Sequence, residues 1–216
     1  MKNSLRAICL AVVCMASTAI INPSSAQEQG PRLTPTFGVK GGLNLSNMYV
    51  DDVTKEDMKV GGNVGFFAKI PVTRGFSVQP EILWSMKGAQ ETYNNVFGSG
   101  KYRFNLNYIE VPVAAVFNVA PNFNLHAGPY VGFLASAKVK DVDSKGNING
   151  VTDLDTDDFN STDFGLFGGL GFDVGGVTLG ARYTHGLTEI GKSGLSGNIT
   201  KNSKNSVFSF FVGIGL

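Results

Sequence analysis

The stretch Thr162–Leu187, TDFGLFGGLGFDVGGVTLGARYTHGL, decides how the chain folds. From Phe164 to Val174 the even positions read Phe164, Leu166, Gly168, Leu170, Phe172 and Val174, while the odd positions are small, charged or glycine apart from Phe167. A period of two places one set on each face of a β-strand. Gly175-Gly176 then supplies the two positive-φ positions of a tight hairpin. The alternation resumes with Val177, Leu179, Ala181, Tyr183 and Leu187 against Thr178, Gly180, Arg182, Thr184 and Gly186. Each arm runs to roughly eleven residues, about the length that crosses a bilayer at a tilt, where a strand of a soluble domain has about five or six.

The same pattern recurs outward from this hairpin. Strands are expected over 36–48 (Phe37, Val39, Leu43, Leu45 on one face), 60–72 (Val64, Phe66, Ala68, Ile70) and 76–89 (Phe76, Val78, Ile82, Trp84, Met86). Further strands are expected over 102–119 (Ile109, Val111, Val113, Ala115, Phe117), 123–137 (Leu125, Val131, Phe133) and 206–216 (Phe208, Phe210, Val212, Ile214, Leu216). In the fourth strand Tyr102, Phe104 and Leu106 carry the opposite parity, which implies a bulge or a strand end projecting beyond the bilayer. Polar stretches at 49–59, 90–101, 138–161 and 188–205 read as long loops; Thr73-Arg74-Gly75, Ala120–Asn122 and Gly175-Gly176 read as short turns. Eight strands with alternating long and short connections predict an all-β, eight-stranded antiparallel up-and-down transmembrane barrel, with short periplasmic turns and long external loops. Only helices and closed barrels satisfy the backbone in lipid, and no stretch of 18 continuously apolar residues is present.

The 216 residues contain 28 glycines and only 16% charged residues, against about 25% in ordinary soluble domains. Lys2 and Arg6 precede the apolar run Ala7–Ile21, and Ser24-Ser25-Ala26 offers small residues for cleavage. This is the pattern of a secretory signal peptide over 1–26, followed by a linker over 27–35 and a barrel over 36–216. Both cysteines, Cys9 and Cys14, fall inside the signal, so the mature chain is expected to hold no thiol chemistry. Without Lys2 and Arg6 it has 16 basic and 17 acidic residues, a balance that points away from nucleic acid.

The stretches GVKGGLNLSNM, FSVQPEILWSMKGAQ, NYIEVPVAAVFN, LHAGPYVGFLASAKVK and GARYTHGLTEIG resemble the PorT-like outer-membrane β-barrel proteins, a porin-family relative of the OmpX and OmpA barrels. They span nearly all of the mature chain. The resemblance implies an outer-membrane barrel without a single shared activity; the namesake serves protein secretion. Such barrels often end in an aromatic residue read by the insertion machinery. Here the last residue is Leu216, so Phe208 and Phe210 are expected to carry that signal.

With the apolar faces toward lipid, the lumen receives Lys40, Lys69, Lys87 and Arg182 together with Glu81, Glu110, Asp163 and Asp173. Eight strands leave an interior just wide enough for side chains, and buried charges must be paired. The eight residues are read as a salt-bridged plug, the alternative being a narrow gated channel that uses the pairs as a switch. Pro80, Pro112 and Pro129 are expected to form one row across adjacent strands, with Glu81 and Glu110 close together and Lys69 neutralising them.

His126 is expected inside near the periplasmic end, and His185 toward lipid near the outer rim beside Tyr183. A lipid-facing His with a Ser two residues on would suggest a lipid-modifying enzyme, but Leu187 stands there. Asp141-Val142-Asp143-Ser144-Lys145-Gly146-Asn147 has the outline of a calcium loop, with Lys145 and Thr152 at ligand positions. A solvated acidic loop over 141–158 is the simpler reading. No catalytic residue, metal or cofactor is therefore assigned. The expected partners are outer-membrane lipid and lipopolysaccharide around a monomer, with an extracellular or periplasmic protein at the loops.

Overall fold

Every backbone N–H and C=O facing lipid must find its partner inside the sheet, and the strand pairing shows how this chain meets that demand. A computed structural model describes residues 33–49, 58–95, 98–143, 148–153, 159–191 and 203–216. They form β1 (Thr36–Tyr49), β2 (Lys59–Pro71), β3 (Phe76–Lys87), β4 (Gln90–Asn95) and β5 (Gly98–Ala120). Next come β6 (Phe123–Asp143), β7 (Ile148–Asp153), β8 (Thr162–Val174), β9 (Val177–Glu189) and β10 (Lys204–Gly215). Eight of these close a cylinder in the order β1, β2, β3, β5, β6, β8, β9, β10, each antiparallel to the next. The last strand then pairs back onto the first over Gly38↔Gly215 to Tyr49↔Lys204. Closure leaves the cylinder no free edge. The two short strands β4 and β7 pair with the outer ends of β5 and β6.

The faces follow the alternation. Phe66, Val64, Ile82, Leu166, Leu170, Phe172 and Phe210 are all exposed on the outside of the barrel, while Lys40, Glu81, Lys87, Glu110, Asp163 and Arg182 are buried inside. A soluble protein does not expose an apolar belt of this kind; a bilayer covers it. Gly175 (φ 56°) and Gly176 (φ 87°) close the β8–β9 hairpin in the left-handed region, where a Cβ would be strained.

Three expectations are corrected. The stretches 90–101 and 138–161 are not wholly loop: Gln90–Asn95 pairs with the outer end of β5, β6 continues to Asp143, and Ile148–Asp153 pairs back onto it. Strand ends beyond the bilayer have no lipid face, so the period-two signal that marks the belt is missing there. Gly88, at φ 134°, separates β3 from β4. Of the two readings of the parity change in the fourth expected strand, the bulge is not on β5: Phe104 and Leu106 turn inward into the apolar cluster at the strand's outer end, and the bulge lies on the partner strand. β5 keeps Leu106, Tyr108 and Glu110 buried on one face, and the register passes from Asn107↔Ser136 to Tyr108↔Leu134, so the extra residue is Ala135 of β6.

The prolines do not form the expected row of three. Pro80 pairs with Val113. The pairs Pro112↔Tyr130 and Ala115↔Ala127 place Val113 beside Pro129 as well. Pro80 and Pro129 thus share a height, and Pro112 is one residue off. One residue reverses the face, so Pro112 is buried in the lumen.

Depth in the membrane gives a test. Leu170→Arg, on the outside of β8, is expected to destabilise the barrel by about 2–4 kcal/mol in urea unfolding from lipid vesicles, and Val119→Arg beside the Ala120 turn by at most about 1 kcal/mol. Equal losses at the two sites would contradict the orientation of the belt.

Candidate functional site

The inward positions of eight strands converge in a space one or two side chains wide. At the short-turn mouth Lys69 of β2 pairs with Asp173 of β8 at 3.4 Å. Asp173 also accepts hydrogen bonds from Asn124 (2.9 Å) and from the Thr178 hydroxyl. Above this pair His126 packs against the rings of Phe211 (5.7 Å) and Phe167 (6.4 Å). Gly169 leaves the space for it, since a Cβ there would fall 2.6 Å from His126 Nε2.

The next layer is centred on Glu81 of β3. Arg182 of β9 donates from Nη1 and Nη2 to its two oxygens, both at 2.9 Å. Lys40 Nζ lies 3.1 Å from each of the same oxygens, and Gln79 donates at 2.8 Å. A bidentate guanidinium–carboxylate pair is among the stronger hydrogen-bonded arrangements. Aromatic faces complete the cations' surroundings: Lys40 Nζ sits 3.8 Å from the Phe211 ring centroid and the Arg182 guanidinium 4.1 Å from that of Phe167.

Toward the outer side lies a second triad. Lys87 pairs with Glu110 and, at 3.0 Å, with Asp163. Asp163 Oδ2 further accepts from Tyr130 (3.0 Å) and Asn205 (2.9 Å). Beside it Asn44 donates to Ser85 (3.1 Å) and accepts from Asn63 (2.6 Å) and Ser209 (2.8 Å). Lys59, read from the sequence as loop, is buried and donates to the Lys87 carbonyl at 2.7 Å. Above these, the inward face becomes apolar: Ala89, Leu106, Tyr108, Ala137, Phe159 and Ile190 form a buried cluster over the outer end.

The eight charged residues thus fall into three groups. One joins Lys69 with Asp173, one joins Lys40 and Arg182 with Glu81, and one joins Lys87 with Glu110 and Asp163. The expected role of Lys69 is corrected: it pairs with Asp173, while Lys40 and Arg182 neutralise Glu81 and Lys87 neutralises Glu110. The two inner triads carry opposite excess charge, one cation too many below and one carboxylate too many above. Between them is a cavity of about 20 Å³ lined by Arg182, Lys87, Glu110 and Asn63, and a second of the same size lies below, beside His126 and Lys69. Each is large enough for about one water.

On the outside, His185 lies beside Tyr183, ring centroids 6.4 Å apart. A serine is nearby after all, though not along the strand: Ser206 of β10 is the register partner of His185, and its hydroxyl is 3.1 Å from the Tyr183 hydroxyl. Cross-strand pairing, invisible in linear spacing, brings them together. Asp141 and Asp143 lie in β6, whereas 144–147 and 154–158 fall outside the described residues, as does the segment 1–26. Among the described residues no group of three His, Cys, Asp or Glu side chains is placed to hold a metal.

A closed, inside-polar and outside-apolar cylinder of eight antiparallel strands defines the class of small outer-membrane barrels. Residues 25–191 match the model of the outer membrane protein β-barrel domain family, and the chain belongs to that family. Among solved structures it is similar to the attachment invasion locus protein Ail of Yersinia pestis, at 13% identity and TM-score 0.48 over 84% of this chain and 99% of that one. It is also similar to Neisserial surface protein A, at 11% identity and TM-score 0.49 over 83% and 97% of the two chains. Pseudomonas aeruginosa OprG is matched at 12% identity and TM-score 0.37 over 84% and 95%. No curated protein matches the sequence.

Removing a partner from a buried cluster leaves uncompensated charge. Glu81→Gln is expected to destabilise the barrel by about 3–5 kcal/mol. Lys69→Met, at the partly exposed mouth, should cost no more than about 1 kcal/mol. Because Lys69 and Glu81 share no ion pair, urea unfolding of the double variant should be additive within about 0.5 kcal/mol; a larger coupling would mean that Lys69 acts on Glu81 after all.

Proposed function

We propose that the chain is a non-enzymatic outer-membrane barrel with a closed lumen, which works through its external loops and outer surface in a structural, adhesive or binding role. The filled interior carries this reading. Lys40, Glu81 and Arg182 occupy the middle of the lumen, an apolar cluster lies over its outer end, and the two lumen cavities described above each take about one water. A hydrated ion does not fit through such a core without breaking several pairs. Lipid surrounds the barrel, and a protein partner at the loops, together with a monomeric state, belongs to the same reading. So does the finer kinship with PorT-like barrels, supported by the stretches from GVKGGLNLSNM to GARYTHGLTEIG.

Two measurements test it. In planar bilayers the purified barrel is expected to show no discrete conductance steps at 100 mV of either sign; sustained openings would replace this reading with that of a narrow pore. Export through a signal peptide cut after Ala26 predicts an intact mass that begins at Gln27, and a retained Met1–Ala26 would overturn that part.

A further inference from the structure

Two buried atoms between the charged layers have opposite needs. Arg182 gives Nη1 and Nη2 to Glu81, and its Nε–H has no partner. Asn63 gives Nδ2 to Asn44 Oδ1 at 2.6 Å, and its own Oδ1 has no partner. Arg182 is only 6% exposed, and both residues line the cavity of about 20 Å³ between the triads. A buried polar group left without a hydrogen bond is costly. A donor and an acceptor orphaned around one small space point to something that answers both.

The Asn63 amide cannot satisfy its oxygen by turning over. Asn44 Nδ2 donates to Ser85 Oγ (3.1 Å) and to the Met86 carbonyl (3.2 Å), which fixes Asn44 Oδ1 as the atom facing Asn63. A reversed Asn63 amide would set two oxygens against each other. Ser209 Oγ donates to the same Asn44 Oδ1 at 2.8 Å, so Asn63 and Ser209 meet at one atom. Ser209 is also the register partner of Arg182 across β9 and β10, and it lines the same cavity. The three polar groups therefore converge from β2, β9 and β10. With its proton directed to Asn44, the Ser209 hydroxyl offers the cavity lone pairs.

We propose that this cavity binds one water, which accepts from Arg182 Nε and donates to Asn63 Oδ1 and Ser209 Oγ. The space admits about one water, and three polar partners are the usual complement of a buried one. One donor set against two acceptors selects water over an ion. A chloride ion would answer Arg182 Nε but press against Asn63 Oδ1 and the lone pairs of Ser209. A metal cation would answer those oxygens but lie against Arg182, Lys40 and Lys87, which also line the cavity. The water ties the Lys40–Glu81–Arg182 layer to the cluster around Asn44, so hydrogen bonds as well as charge hold the layers together. The apolar cluster lies above it and the Glu81–Arg182 pair below, so it exchanges slowly. That slow exchange rests on the closed lumen, which the conductance measurement tests separately.

Crystals of the refolded barrel, grown with bromide as the halide, give the first test. A density peak should lie about 2.7–3.2 Å from both Arg182 Nε and Asn63 Oδ1, with no anomalous signal at the bromine edge. An anomalous peak would replace the water with an anion. No peak, or a direct bond between the two side chains, would refute the site. Oxygen-17 relaxation dispersion of the barrel in micelles then counts the waters held for longer than the particle takes to tumble. Asn63→Leu removes the acceptor and should show one long-lived water fewer than the wild type; an equal count would also refute the site. Heat-modifiable mobility on gels reports whether the variant is folded, and if it is not, the wild-type density decides alone. A missing peak in a barrel that does not conduct would sink the water site and leave the closed lumen standing.

Discussion

The ion pair between Glu81 and Arg182 crosses the full width of the molecule. Around the closed sheet β3 and β9 stand four positions apart of eight, so they face each other across the lumen. Two of the longer polar side chains, meeting at 2.9 Å through both oxygens, span that diameter. Lys69 and Asp173 repeat the arrangement between β2 and β8. A cylinder of this strand number has room for little else, so the rings of Phe167, Phe211 and Tyr130 must be offset by small residues at other inward positions. Gly65, Gly128, Gly165, Gly169, Ser77 and Ser85 occupy them. The high glycine content follows from one geometric fact: opposite walls must come close enough for charges to meet.

Burying charge has its own condition. Neither triad is neutral, and an unpaired interior charge would cost several kcal/mol. The excess cation of Lys40–Glu81–Arg182 faces the excess carboxylate of Lys87–Glu110–Asp163 across the cavity that both help to line. Two buried polar atoms border that cavity too: Arg182 Nε has a proton to give and Asn63 Oδ1 has lone pairs to fill, while Glu110 Oε1 is held by Lys87. Compensation therefore works at two scales. Direct pairs hold each layer, and the layers balance one another along the barrel axis. The phenylalanine rings of Phe167 and Phe211 lie beside the cations in the lower layer, where they fill volume without adding an acceptor.

Sequence parity made the belt and the wall legible, because lipid on one side and a narrow polar space on the other impose opposite chemistry on neighbouring residues. That contrast is strongest in β8–β9, where Leu166 and Leu170 alternate with Phe167 and Gly169. It fades where strands leave the bilayer, so β4, β7 and the outermost residues of β5 (98–101) and β6 (138–143) read as loop. The eight lumen charges could be placed on one face, but not matched to partners. Lys69 looked closest to Glu81 because β2 and β3 are neighbours, whereas its partner Asp173 stands on the opposite wall. The proline offset has a similar origin: a hairpin axis misjudged by half a residue moves a partner by one. Phe159 and Ile190 had no period to announce them. They are buried by strand ends and connecting segments folding inward, a tertiary event that linear alternation does not record.

The apolar cluster over the outer end gives the charged layers their setting. Tyr108 and Leu106 are each only 1% exposed, so bulk water does not reach the Lys87 triad from that side, and its attractions are screened far less than those of surface pairs. The short-turn end is different: Lys69 and Asp173 remain partly exposed, and water can approach them. The interior is thus dry and apolar at the outer mouth and polar and wetter at the other. Among the described residues the outer end offers no polar lumen surface to recognise. What remains outside is the loop ends, built on β4, β7 and the ends of β9 and β10, and the rim of the belt. Among the described residues polar side chains interrupt the rim on β9–β10–β1, at His185, Ser206 and Asn47, and on β5–β6, where Asn107 donates to Ser136. Those places are therefore the surfaces left to the surroundings, while the lumen holds the walls together.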